Sequence, residues 1–430
     1  VETTLTQPTR WSLATIIAFR FIFVYFVFYI APFPLYWIPY AGVIVEPFSK
    51  MSFATTELLG KALFGAGYIL PPESTGSGDT MHNYVQLVFA LLFATAGTIV
   101  WSVLDRKRGN YEKHLYWFVI VLRYYLAFTM LSYGFAKVFR TQFPPLTFGQ
   151  LGKSYGDSSP MNLLWTFMGY SGPYTVFTGL GEVVGGLLLL FRRTRLLGAL
   201  VVVIVMTHVV ILNLSYDVPV KLYSAHLLIM ALIIMAPDSN RLLNFFLLNQ
   251  TVSPEPVRPL YNTQQRKWIY IGAKALILIY VVSQTVINNW DQKRDVDKYV
   301  ALANGIGSID GEYAVETFVL NNDTLPQIKE DTRRWKGMTI NGKQIRVESM
   351  DGAVINWHFL GNTGYRRMVI HSPDLSTYGN FTFHSDSTRI SIEGTLINDS
   401  LKIIARKKSG GGYLLVNRGF HWVNEYPFNQ

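Results

Sequence analysis

Apolar positions fall into long uninterrupted runs through the first two thirds of the chain and into short alternating runs thereafter. A run of about 20 apolar residues is what an α-helix needs to cross a bilayer core. Seven segments qualify: 11–31, 82–104, 115–138, 172–191, 196–215, 221–236 and 268–287. The sixth is short, and either extends a turn past Pro237 or sits beside a thinned region. The stretch 53–70, interrupted by Glu57, Gly60 and Lys61, reads as interfacial or re-entrant. After Trp290 the period falls to two. Strands are expected at Gly311–Leu320, Lys343–Ser349, Ala353–Phe359, Tyr365–His371, Gly379–His384, Thr388–Gly394, Leu401–Arg406 and Tyr413–Asn417. Asn341-Gly342 and Asp351-Gly352 are hairpin dipeptides, because both turn positions must tolerate positive φ. Closely spaced strands with tight turns predict an antiparallel barrel or sandwich. The expected fold is a membrane all-α bundle over 1–287 followed by an all-β domain over 288–430.

Charge refines this picture. Of 38 Lys/Arg and 28 Asp/Glu, residues 288–430 hold 17 and 16, leaving 21 against 12 for residues 1–287. The basic excess therefore belongs to the helical part. Positive residues cluster at Arg106, Lys107, Arg108 and Lys113, again at Arg192, Arg193 and Arg195, and again at Arg266 and Lys267. One side collects all three clusters if the N-terminus is cytoplasmic and the β domain external, which in a bacterial inner membrane is the periplasm. The first apolar run lacks a small-residue cleavage site after it and reads as a retained anchor. No basic, aromatic-interleaved tract suggests nucleic acid. The chain has no cysteine, which excludes thiolate nucleophiles, disulfides and Cys-ligated metal centres on it.

Candidate chemistry lies in polar residues inside the spans. Intramembrane ionisable groups are costly and usually paired. Arg20, Arg123 and Glu182 each fall roughly 12 to 14 Å from the cytoplasmic ends by helix rise. The expectation is one cluster of two guanidiniums and a carboxylate, serving either as a structural clamp or as a seat for an anionic or quinone-like ligand. Nearer the outer face lie His208, His226 and Tyr223, with Asp217 and Lys221 in the preceding connection. Arg123, Met130 and Lys137 are successive sevens on one helix and predict a polar stripe joining the two layers. Two histidines without further ligands give haem or another metal little support. Quinone heads suit such a layer, since His, Lys and Tyr donate hydrogen bonds. The terminal cluster Arg418, His421, Trp422 and Glu425 reads as a docked end segment rather than a ligand mouth. No GxSxG, HExxH, P-loop or paired-glycine nucleotide motif is present.

The runs RYYLAFTMLSYGFAKVF, GLGEVVGGLLLLFRRTRLLGALVVVIVMTHVV and YSAHLLIMALIIMAPD carry a resemblance to the DoxX/DoxD-like membrane family over residues 115–236. That resemblance implies a helical core associated with membrane redox complexes, and a candidate site at Glu182 with Arg123 and Lys137. The family is also distantly similar to the membrane domain of vitamin-K-dependent carboxylases, for which Lys137 would be the basic residue. Together these readings imply a quinone-associated subunit of a membrane redox complex. The alternative is a non-catalytic assembly or scaffold protein whose β domain binds an envelope partner.

Overall fold

The computed structural model describes residues 10–35, 38, 40–65, 67, 76–153, 155–252, 263–304, 309–341, 344–362, 366–373, 376–408, 413–419 and 421–422. Two compact units emerge: residues 1–138 with 176–289, and residues 139–175 with 290–430. The division falls after residue 289, within the last long helix, and the segment 139–175 belongs with the β unit.

The helical unit contains α1 (Leu13–Ile30), α2 (Gly42–Phe64), α3 (Met81–Leu104), α4 (Glu112–Val138), most of α7 (Gly172–Leu190), α8 (Arg195–Ser215), α9 (Lys221–Met235), α10 (Ser239–Leu242) and the first part of α11 (Gln264–Asn304). Among the described residues, seven helices are long and apolar enough to cross a membrane, matching the seven expected. The sixth is longer than expected, because 3-10 and π turns carry it from Lys221 through to Leu247. The interfacial stretch is a regular helix, α2, starting earlier than expected and carrying Pro47 near its first turn. Helix ends are fixed by side chains: Ser12 caps α1, and Thr80 with Asn83 forms a reciprocal capping box on α3.

Small residues set the closest helix contacts. A Cβ on Gly134 of α4 would lie 2.7 Å from Val183 Cγ2 and 2.8 Å from the Gly179 carbonyl of α7. One on Gly186 would lie 3.0 Å from the Ala127 carbonyl. These contacts fix an antiparallel register in which residue 182 stands opposite 131 and residue 190 opposite 123. The absence of side chains at the crossing is what permits it.

The second unit is a closed antiparallel barrel. Its strands are β1 (Gly311–Leu320), β2 (Asp323–Thr324), β3 (Trp335–Asn341), β4 (Gln344–Ser349), β5 (Val354–Asn362), β6 (Arg367–His371), β7 (Tyr378–Ser385), β8 (Arg389–Leu396) and β9 (Asp399–Lys407). Order is sequential apart from the two-residue β2, which pairs on the end of β1. Closure comes from β1 pairing with β9, from Tyr313 opposite Lys407 to Leu320 opposite Leu401. Alternate residues such as Ile345 and Val347, Phe381 and Phe383, and Ile390 and Ile392 point inward and fill the barrel. Arg334 is buried beside this core and donates to the carbonyls of Leu325 at 2.6 Å and Glu316 at 3.2 Å. The helices α5 (Phe148–Leu151) and α6 (Pro160–Tyr170) belong to this unit, and Thr339 Oγ1 donates to the Gly152 carbonyl.

Two strand assignments change. Trp335–Asn341 is a strand that the sequence reading omits, because a bulge between Trp335 and Gly337 breaks its alternation. Tyr413–Asn417 is not a strand, since Leu414–Asn417 forms a single helical turn, α12. Gly342, Tyr365 and Glu425, which figure in the expected turn, strand and terminal cluster, lie outside the described residues.

Candidate functional site

Glu182 does carry an ion pair, but its partner is Lys137. Both ends are buried, with Glu182 3% exposed and Lys137 7%. The expected cluster of Arg20, Arg123 and Glu182 does not form, and the helix register explains why. Glu182 stands opposite residue 131 of α4, so Lys137 reaches it from one side while Arg123 lies roughly 12 Å further along the axis. Counting depth from each helix's own cytoplasmic end fails because α4 extends well past the end of α7.

Arg20 is satisfied elsewhere. Its Nε and Nη2 donate to the Tyr111 hydroxyl at 3.0 and 2.6 Å, Nη1 to Ser102 Oγ at 2.8 Å, and Nη2 to the Asp105 carbonyl at 2.7 Å. Tyr111 in turn donates to the Asp105 carboxylate at 3.0 Å. This is a structural knot between α1, α3 and the start of α4. Asp238 does similar work at the other basic corner, binding Arg195 and Arg241.

The expected stripe on α4 is buried along its length but is not a continuous polar path. Met130, between Arg123 and Lys137, is 1% exposed and part of the apolar core. Two separate polar sites result, one around each end.

The outer site is a cavity of about 510 Å³ lined among others by Tyr25, Tyr29, His82, Tyr133, Tyr223 and His226. His226 Nδ1 lies 2.6 Å from the Leu222 carbonyl, which only accepts, so Nδ1 carries the proton. Its Nε2 then accepts from the Tyr25 hydroxyl at 2.6 Å. Tyr29 stacks on the imidazole with centroids 4.1 Å apart and planes within 1°. Tyr223, three residues before His226 as expected for a shared face, bonds Thr129 and Tyr125. His82 Nδ1 is buried without a hydrogen-bond partner among the described residues. His208 is not part of this layer. It lies exposed on α8, so the two histidines do not face one another.

Asp217 and Lys221 form an exposed pair at 2.7 Å, with Asp217 81% exposed and in a left-handed backbone conformation. The carboxylate that organises this corner is Asp79, which accepts from the backbone N–H groups of Lys221 at 2.7 Å and Leu222 at 3.0 Å. It caps α9 and so positions Tyr223 and His226. Asp79 sits in the loop GSGD, and nothing local marks it as a cap for a helix some 140 residues later.

The inner site surrounds Arg123. A second cavity, about 880 Å³, is lined by Arg123, Tyr124, Arg192, Tyr270 and Lys274 at its basic part and by residues such as Phe128 and Ile277 beyond. Lys274 escapes the sequence reading although it carries the same signal as Glu182, a charge inside an apolar span. In the β unit, Arg418 Nη1 contacts the His421 ring nitrogens at 2.6 and 2.8 Å, an exposed local pairing. No group of three or more His, Asp or Glu side chains poised for a metal occurs among the described residues.

Fold and site together define a polytopic α-helical membrane protein with a β-barrel domain and, among the described residues, cavities lined by ionisable side chains at His226 and at Arg123. The chain is 35% identical over 124 residues to the uncharacterised protein YwoB of Bacillus subtilis strain 168, covering 29% of this chain and 79% of YwoB. Over that stretch it belongs to the YwoB family. No protein-family model matches the chain, and no solved structure matches it.

Proposed function

We propose that this protein is a quinone-binding component of a redox complex in the bacterial inner membrane. The observation supporting it most directly is the outer cavity, where Tyr and His donors converge within apolar walls. Its volume of about 510 Å³ lies inside the range of roughly 300 to 1,000 Å³ typical of small-ligand sites. The buried, unpartnered His82 Nδ1 is a polar atom with bonding capacity left for a ligand. A quinone would supply two-electron chemistry coupled to protonation of its carbonyl oxygens. The chain's own part is to hold the ring and to hold protons. Tyr29 and His226 form a fixed stacked pair against which a planar head packs. The Leu222 carbonyl pins the proton on Nδ1, so exchange at His226 is confined to Nε2 and the Tyr25 hydroxyl. Lys137 and Glu182 hold α4 against α7 and keep the Tyr133 edge of the cavity in register.

The three basic clusters favour a cytoplasmic N-terminus and a periplasmic barrel. The DoxX-like runs favour a redox complex as the setting. Lipid extracted from the purified protein and quantified by mass spectrometry tests the reading. Quinone should co-purify. His82→Phe, which removes an unsatisfied polar atom, should leave the fold intact and lower quinone per folded molecule. His208→Phe, on the exposed side of α8, should change nothing. A folded, monodisperse wild-type preparation from native membranes with no quinone would overturn the proposal.

A further inference from the structure

The geometry points to a second ligand site, at the inner cavity, built for the phosphate of an anionic amphiphile such as a phosphatidic acid. Arg123 is 5% exposed, yet its guanidinium makes no hydrogen bond among the described residues, and Nε is buried without an acceptor. Its contact is with a ring, the Tyr124 face 5.0 Å away. A buried guanidinium without a carboxylate is costly unless an anion completes it. Elsewhere in the same bundle the chain satisfies such groups fully: Arg20 has four hydrogen bonds and Arg195 has Asp238. Arg123 lines the cavity instead.

Its neighbours raise the positive charge there rather than offset it. Lys274 lies between the Tyr124 and Phe191 rings, at 5.9 and 5.3 Å, and donates to the Leu190 carbonyl at 2.7 Å. An ammonium has three donors, so two remain for an anion. Arg192 sits over the Tyr116 ring, 5.7 Å from its centroid. Glu112 is the one acid among the described lining residues, and Arg195 is engaged by Asp238. Arg123 and Lys274 thus bring two cations with donors left for an anion.

The shape argues for an amphiphile over a free anion. Lys274 bonds the carbonyl of Leu190, the last residue of α7, so the basic residues gather near the α7–α8 corner where a headgroup would sit. The lining also includes Phe33, Phe128, Ile277 and Leu278, apolar surface that offers an acyl chain burial and offers inorganic phosphate nothing. Arginine suits a phosphate through paired N–H donors.

The test reconstitutes the full chain in vesicles of phosphatidylcholine alone or phosphatidylcholine with phosphatidic acid, then counts retained lipid by native mass spectrometry after gentle extraction. The wild type should retain phosphatidic acid. Arg123→Met should lower its retention roughly tenfold or more, the loss expected for a charge-assisted bond, and Lys274→Met should lower it in the same direction. Arg193→Met, an exposed arginine at the same corner that does not line the cavity, should leave retention unchanged. A second readout is thermal unfolding. In phosphatidylcholine alone Arg123→Met should melt higher than wild type, because an unpaired buried charge is gone. Added phosphatidic acid should raise the wild-type midpoint and not the variant's. Equal retention by wild type and Arg123→Met would overturn the site, as would an equal fall for Arg193→Met. Displacement of the bound lipid by inorganic phosphate as readily as by short-chain phosphatidic acid would overturn the amphiphile and assign the site to a free anion.

Discussion

Breaking the Lys137–Glu182 pair should be among the most damaging single changes in the helical unit. Glu182→Gln leaves an ammonium 7% exposed, in a crossing too tight to admit water. Gly134 and Gly179 bring α4 and α7 so close that a single Cβ would meet backbone atoms at 2.7 to 2.9 Å. Removing one partner of a buried pair costs about 3 to 5 kcal/mol, since the remaining charge is uncompensated. The double variant Glu182→Leu with Lys137→Met removes both charges. It should recover most of that loss, because apolar replacements of similar volume are often neutral. Equilibrium unfolding in mixed micelles, followed by helical circular dichroism, of the wild type, Glu182→Leu, Lys137→Met and the double variant gives the four corners of the cycle. Arg123→Met combined with Glu182→Gln should instead be additive within about 0.5 kcal/mol, as expected for sites roughly 12 Å apart along the helices. A Glu182→Gln penalty below about 1 kcal/mol, or strong coupling of Glu182 to Arg123 and none to Lys137, would refute the pairing and the register with it.

Gly134→Ala should destabilise by about 1 to 3 kcal/mol through the overpacked α4–α7 crossing, whereas Gly272→Ala on α11, with nothing within 4 Å, should be neutral or stabilise by up to about 1 kcal/mol; thermal unfolding of the two variants separates packing from propensity. Asp386 is held below the ordinary carboxylate value of 3.8 by the backbone N–H groups of Thr388 and Arg389 and by the Thr388 hydroxyl. A depressed folded-state value means stability that is full above 3.8 and lost as pH falls through the folded value, so Asp386→Asn should lower the barrel's stability at neutral pH and flatten its further fall below 3.8. Trp335 and Trp357 inside the barrel are the fluorescent reporters for that titration. For sidedness, Ser387→Cys in this cysteine-free chain should react with an impermeant maleimide in intact spheroplasts and Arg193→Cys only after permeabilisation; the reverse pattern would invert the proposed orientation.

Elements that bury one face in a regular period were legible in the sequence, and partners across elements were not. Long apolar runs gave the seven spans, and strict alternation gave strands such as Gly379–His384 to within a residue or so. The β3 strand escaped because its bulge puts Trp335 out of phase with Met338 and Ile340. Leu414–Asn417 misled because its run of three aliphatic residues has no period of two, and short apolar runs do not separate strand from helix. At the sites, residue type was informative and pairing was not. Charges inside spans singled out Arg20, Arg123, Lys137 and Glu182, and all four are buried. Which of them meet depends on helix stagger, which no single helix encodes. The histidines show the same limit: His226 lines a cavity with five tyrosines while His208, equally apolar in its surroundings along the chain, faces away.

Closure of the barrel by its first and last long strands has a consequence for biogenesis. Each strand from β4 to β8 can pair with its predecessor as soon as it is made, but the second edge of β1 is covered only when residues 401–407 are available. Until then the nascent domain is an open sheet with two bare hydrogen-bonding edges, the kind of surface that invites association with other chains. The interval spans nearly a hundred residues of synthesis, so the domain is most exposed to misassembly just before its last strand arrives. A chain terminated between β8 and β9 would keep all of its hydrophobic barrel interior except Leu401, Ile403 and Ala405, yet would leave the edges of β1 and β8 permanently unpaired. Such a product should be cleared by quality-control proteolysis rather than accumulate as a slightly weaker protein.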